Sequence, residues 1–98
     1  MIANFAIFPI GKGESLSSYV AETFKIIENC GLPYEHHSMG TNVEGEWEDI
    51  IKLINDCRKK MLESADRVYI AITIDERKAK TNRMNKKVAS AKAKMVTL

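Results

Sequence analysis

The chain has 98 residues, 45% of them hydrophobic, and a formal net charge of +2. That apolar content supplies one core and not two, so residues 1–98 are expected to form a single domain. The longest apolar runs, such as Phe5 to Ile10, fall far short of the roughly 18 residues a membrane span requires, and the chain opens directly on strand-like sequence, so neither an anchor nor a signal peptide is expected.

The charge is unevenly placed. Residues 1–76 hold 7 Lys/Arg against 13 Asp/Glu, whereas residues 77–98 hold 8 Lys/Arg and no acid. A basic tail of this kind can serve as a nucleic-acid arm, or it can complement the acidic body of its own or a neighbouring subunit. Cys30 and Cys57 each sit inside a helical pattern, with no second cysteine or histidine at metal-ligand spacing. They read as small reduced core residues, which fits a cytoplasmic location.

Ala3 to Ile10 places Phe5 and Ile7 on one face and Ala6, Phe8 and Ile10 on the other. A strand apolar on both faces belongs in the centre of a sheet. Pro9 and then Gly11-Lys-Gly13 stop it and turn the chain. Ser15, Ser17 and Ser18 supply possible N-caps for a helix whose apolar positions Leu16, Val20, Phe24 and Ile27 recur at helical spacing through Asn29. Gly31 and Pro33 end that helix. Tyr34 to Ser38 reads as a short polar edge strand, Gly40 as a turn, and Asn42-Val-Glu44 as a returning strand.

From Trp47 the period becomes helical again, with Trp47, Ile50, Ile51, Ile54, Cys57, Met61 and Leu62 on one face through about Ser64. Acids in its first turn and Arg58, Lys59 and Lys60 near its end suit the helix dipole. Val68, Ile70, Ile72 and Ile74 then alternate with Tyr69, Ala71 and Thr73, a strand with one strongly apolar face. From Asn82, Met84, Val88, Ala91 and Met95 mark a third amphipathic helix with its lysines outward.

The order β-α-β-β-α-β-α implies an α+β fold, a ferredoxin-like βαββαβ sandwich with an additional C-terminal helix. Both crossover helices then cover one sheet face. The opposite face carries Ala6, Phe8, Tyr69 and Ala71, too apolar to leave in water, so a homodimer or a homotetramer built as a dimer of dimers is expected.

Little in the sequence suits catalysis, which needs a nucleophile with its base, a metal site or a matched acid and base. His36 and His37 are adjacent and on a strand point to opposite faces, which prevents both from binding one metal in the usual way. The Gly11-Lys-Gly13 segment has neither the P-loop nor the GxGxxG spacing and reads as a turn. The stretch Met39 to Trp47 sets Thr41, Glu44 and Trp47 between two glycines and a helix start. It can line a pocket, or it can be a hairpin with solvated acids and Trp47 plugging the core; spacing leaves both open.

Several segments in order, Phe8-Pro-Ile-Gly-Lys-Gly13, Ser18-Tyr-Val-Ala-Glu22, Met39-Gly-Thr41 with Glu44-Gly45, Ile72-Thr-Ile-Asp-Glu-Arg77 and the Met84 to Ser90 helix, resemble the small thiamine-binding protein family, the MTH1187/YkoF-like proteins. The resemblance runs nearly end to end and implies a ferredoxin-like fold, homo-oligomerisation through sheets, and binding of thiamine or its hydroxymethylpyrimidine precursor without catalysis. Thiamine would be a bound ligand, with no cofactor required. Thiamine joins a flat aminopyrimidine to a cationic thiazolium, so Glu44 would accept from the amino group or pair with the cation. Ser18 and Thr41 would bond the pyrimidine edge, and Met39 or Trp47 would pack on a ring. Ser18, Met39, Thr41 and Glu44 lie in segments that match the family; Trp47 is chosen on chemistry. The alternatives are a nucleic-acid-binding module, disfavoured because no strand has aromatics arranged to stack bases, and a purely structural or regulatory oligomer.

Overall fold

A computed structural model describes residues 1–11, 16–78 and 83–96. Strand β1 (Ile2–Pro9) leads to helix α1 (Ser17–Glu28), strands β2 (Tyr34–His37) and β3 (Gly40–Glu44), helix α2 (Trp47–Leu62), strand β4 (Val68–Asp75) and helix α3 (Arg83–Val96). The sheet has the order β2-β3-β1-β4, and every neighbouring pair is antiparallel. This is the expected ferredoxin-like arrangement with an added helix: β3 slots between β1 and β2, which α1 connects, and β1 is an interior strand.

The alternation of β1 decides what lies where. Ala3, Phe5, Ile7 and Pro9 are buried, while Ile2, Asn4, Ala6 and Phe8 on the opposite face are half-buried. The first row meets Ile27 of α1 and Ile50, Leu53, Ile54, Cys57 and Met61 of α2 in one core. The buried stripe of α2 includes Leu53, which the sequence reading omits, and excludes Trp47 and Leu62, both exposed. Position 53 lies one helical turn from Ile50 on the buried side, whereas Trp47 is the first residue of the helix and is half exposed.

The local endings differ in detail from expectation. Leu16 occupies the N-cap position of α1 with no side-chain cap bond, so Ser17 and Ser18 lie within the helix; Ser15, Lys12 and Gly13 lie outside the described residues. The β2–β3 turn is made by Ser38 and Met39, and Gly40 is already the first residue of β3, paired with His37. A Cβ at Gly40 would stand 2.9 Å from the Phe5 carbonyl oxygen, so this glycine serves close backbone approach and not the turn itself.

The sheet face away from α1 and α2 divides into three bands. At one end Ile2 aligns with Glu44 on one side and Asp75 on the other. Helix α3 lies beside β3 there, and Lys87 donates to Asp75 at 2.6 Å. In the middle Asn4 Nδ2 donates to Asn42 Oδ1 at 2.8 Å, opposite Thr73. At the far end Phe8 stacks on Tyr69 with ring centroids 5.1 Å apart, next to Ala6 and Ala71. Tyr69 is 51% exposed, so this last band is the uncovered apolar patch the sequence implies. Met84 is buried at the start of α3, whereas Val88 and Met95 farther along remain exposed.

Candidate functional site

The β strands of the sheet have unequal lengths, and the inequality makes a cleft. β1 pairs with β4 along all eight of its residues, but its pairing with β3 ends at Phe5–Thr41. Beyond that point residues 6–9 have no strand partner on the β3 side. The first half of α1 overhangs the gap, and the β2–β3 hairpin tip closes it laterally. The cleft, open to solvent on one side, has a volume of about 310 Å³.

Its floor is Phe5, Ile7 and Phe8 of β1; Leu16, Val20 and Phe24 form the α1 wall; His37, Met39 and Thr41 form the hairpin wall. The surface is mainly apolar, with the hydroxyls of Thr23 and Thr41 among its few polar groups. The Thr23 hydroxyl is committed to the Tyr19 carbonyl at 3.0 Å. The close approach of the Phe5 carbonyl to Gly40 shows that Phe5 turns its backbone toward β3. By strand alternation Ile7 does the same, which directs an N–H and a C=O side by side into the gap.

Thr41 is held from behind. Its Oγ1 lies 3.1 Å from His36 Nδ1, and the His36 ring stacks on Phe24 with centroids 3.7 Å apart and planes within 8°. His36 Nε2 points to Glu28 Oε1 at 3.6 Å, an ion-pair distance that is too long for a hydrogen bond and leaves this nitrogen buried without one. His36 thus ties β2, β3 and α1 together behind the cleft, while His37 lines it. Among the described residues no three His, Cys, Asp or Glu side chains gather as a metal site.

Of the residues singled out from sequence, the structure brings Met39 and Thr41 together in this cleft. Met39, 84% exposed, stands at its mouth. Ser18 is on another side of α1, in a groove with Tyr19, Glu22, Lys60, Met61 and Ser64. Glu44 is 8% exposed, on the opposite sheet face beside Ile2, at the other end of β3 from the cleft. Trp47 is 50% exposed at the first residue of α2 and neither lines the cleft nor fills the core. The sequence reading passed over Phe5, Ile7, Val20 and Phe24 as cleft residues because their apolar periodicity is that of core positions. The available signal was the contrast between a long first strand and the short, polar segment around Tyr34 to Glu44, which leaves part of that apolar stripe without sheet beneath it.

The cysteines are remote from this chemistry. Both are free thiols. Cys57 is fully buried, and burial, with Asp56 and Cys30 adding to it, pushes its thiol up to about 12, so it stays protonated and inert. Cys30 is half-buried and accepts a weak bond from the Leu32 N–H at 3.4 Å.

A sequence model described as "Thiamine-binding protein" matches residues 3–92. The chain belongs to this thiamine-binding protein family. The UPF0045 protein MJ1052 of Methanocaldococcus jannaschii is 35% identical over 88 residues, covering 90% of this chain and 88% of that one. The crystal structure of the same relative superposes with a TM-score of 0.84, covering 92% of this chain and 93% of that one. A UPF0045 protein of Methanothermobacter thermautotrophicus is 31% identical over 96 residues, covering 95% of this chain and 97% of that one. A candidate thiamine biosynthesis/salvage protein of Thermotoga maritima shares the fold with a TM-score of 0.76 at 20% identity, over 90% of this chain and 96% of that one. No helix among the described residues is long and apolar enough to cross a membrane.

Proposed function

We propose that this protein binds thiamine, or its hydroxymethylpyrimidine moiety, in the cleft beside the unpaired end of β1, and that binding without turnover is its activity, as a carrier or sensor. The observation that carries the reading is the cleft itself: about 310 Å³, apolar on two walls, with Thr41 and an unpaired strand edge supplying its polar contacts. Membership of the thiamine-binding protein family supports it.

An aminopyrimidine is flat and presents an amino donor next to a ring-nitrogen acceptor. A strand edge presents the matching acceptor and donor side by side, so the C=O and N–H of Ile7 can read that edge while Phe5, Val20 and Phe24 cover the ring faces. The Thr41 hydroxyl, positioned by His36, adds one directional bond. The described lining residues include no carboxylate, so the cationic thiazolium belongs at the mouth, near Met39 and water, where its charge stays solvated. The two free thiols fit a reducing, cytoplasmic setting. The uncovered band of Ala6, Phe8, Tyr69 and Ala71 supports assembly as a homodimer or homotetramer.

Isothermal titration tests the reading. Thiamine and hydroxymethylpyrimidine should each give saturable heat with about one site per chain, and Val20→Trp, which fills the cleft from an exposed helix position, should weaken binding at least about tenfold with the thermal midpoint nearly unchanged. Absence of heat up to millimolar ligand, or equal affinity in Val20→Trp, would overturn it.

A further inference from the structure

Two of the polar groups lining the cleft are hydroxyls, those of Thr23 on α1 and Thr41 on β3, and both residues are buried. His37, Ser38 and Met39 at the hairpin tip are exposed, so water competes there for any hydrogen bond. A hydroxyl has one proton and two lone pairs. What it offers a ligand therefore depends on where its own proton already goes.

For Thr23 the partner fixes the answer. Its Oγ1 lies 3.0 Å from the Tyr19 carbonyl oxygen, which can only accept, so the proton is spent inside α1 and lone pairs remain. For Thr41 the answer turns on a tautomer. His36 is its cross-strand partner, with Nδ1 3.1 Å from Oγ1. If Nδ1 carries a proton the ring donates to Thr41; if it does not, Thr41 donates to the ring.

The other nitrogen of the imidazole decides between them. Nε2 is buried without a hydrogen bond, 3.6 Å from Glu28 Oε1. A carboxylate at that distance attracts an N–H and repels a lone pair, so the neutral ring keeps its proton on Nε2. The stack on Phe24 and the tilted ring of Tyr34, 5.1 Å away, fix the plane in which the ring lies. Nδ1 is then an acceptor, and the Thr41 proton goes to it. We propose that Glu28 and His36 together make Thr41 an acceptor-only group, so that the two buried hydroxyls of the cleft accept and do not donate, and the cleft selects a ligand carrying an amino group over one of the same shape carrying a carbonyl. His36 acts as a positioning residue, setting the polarity of Thr41 from behind. This selection rests on the reading of the cleft as an aminopyrimidine site, in which one amino hydrogen goes to the Ile7 carbonyl and the second to Thr41.

Nitrogen-15 NMR of histidine-labelled protein reads the tautomer with no ligand present, because protonated and bare ring nitrogens resonate far apart; the His36 signals are those lost in His36→Phe. At about pH 8, where an ordinary imidazole is neutral, the proton should sit on Nε2 in the wild type. It should move to Nδ1 in Glu28→Lys, which presents a cation to the same nitrogen from a half-exposed position. Calorimetric titration with hydroxymethylpyrimidine, and with its counterpart bearing a carbonyl in place of the amino group, reads the consequence. The wild type should favour the amino compound at least about tenfold. That ratio should narrow several-fold in Glu28→Lys and in His36→Phe, which keeps an aromatic ring against Phe24 and frees the Thr41 proton, while the backbone edge of Ile7 retains the remainder. A proton on Nδ1 in the wild type would overturn the proposal, and so would a ratio unmoved in both variants. If neither compound gives heat with the wild type, the ligand reading fails and the selection with it, a result that the ligand-free NMR signal keeps separate from a wrong tautomer.

Discussion

The two ends of β1 contrast within one strand. Over residues 2–5 it is paired on both sides, and Ala3 and Phe5 are buried against Val43, Ile50, Leu53 and Cys57. Over residues 6–9 it keeps β4 but loses β3, and the same apolar alternation lines a cleft. The chemistry of the side chains barely changes between the ends; what changes is whether a neighbouring strand is there to occupy the space. At one end the space beside the strand is filled by β3, and at the other it is left as a cleft.

The largest expected effect would break the closed end alone. Ile50 is fully buried in α2, so Ile50→Ala should lower unfolding stability by about 2–5 kcal/mol. The cleft is lined by other elements, so thiamine affinity measured well below the new thermal midpoint should stay within about twofold of wild type. Denaturant titration and calorimetry on the same variant check both halves. A matched loss of stability and affinity would show that the two ends act as one unit.

Hydrophobic period and breakers made most of this fold legible. The strands around Ile7 and Ile72 and the helices around Ile27 and Ile54 are each fixed by apolar spacing, and their order leaves few topologies. The site was less legible, because a cleft is a property of mismatched lengths. Nothing in the identities of Val20 or Phe24 distinguishes a helix position over sheet from one over a gap. Thr41 was legible as a polar group in an otherwise strand-like segment, and Met39 as a residue beside Gly40. Glu44 was drawn in by the family resemblance and Trp47 by its chemistry, yet β3 places Glu44 about 13 Å from the hairpin tip at roughly 3.3 Å per residue, and Trp47 lies beyond it at the start of α2.

A second prediction sharpens the claim that the closed end is dry. Burial raises the Cys57 thiol from 9.0 to about 12. A thiol whose folded value lies above its unfolded value binds more protons in the native state between those limits. Its contribution is therefore fully present below pH 9.0 and is lost as pH rises toward about 12. Wild-type stability should fall over that window with a slope of up to about 1.4 kcal/mol per pH unit from this group. Cys57→Ala should remove that part of the slope, read as the difference between the two proteins' denaturant midpoints at successive pH values. Parallel pH profiles would mean that water reaches Cys57.

The smallest effect lies at the boundary between the ends. A Cβ at Gly40 would meet the Phe5 carbonyl at 2.9 Å and the Asn4 side chain at 3.1 Å. The carbonyl is backbone inside an interior strand and has little freedom to move, so in Gly40→Ala the hairpin must yield. The expected cost in stability is roughly 1 kcal/mol. The same shift moves Thr41 relative to β1, and it strains the His36 contact that positions the Thr41 hydroxyl. Gly40→Ala should therefore weaken thiamine binding several-fold, out of proportion to its stability cost and opposite in pattern to Ile50→Ala. If affinity is unchanged while stability falls, the hairpin has moved without carrying Thr41, and the ligand is read by the β1 edge and the α1 wall alone.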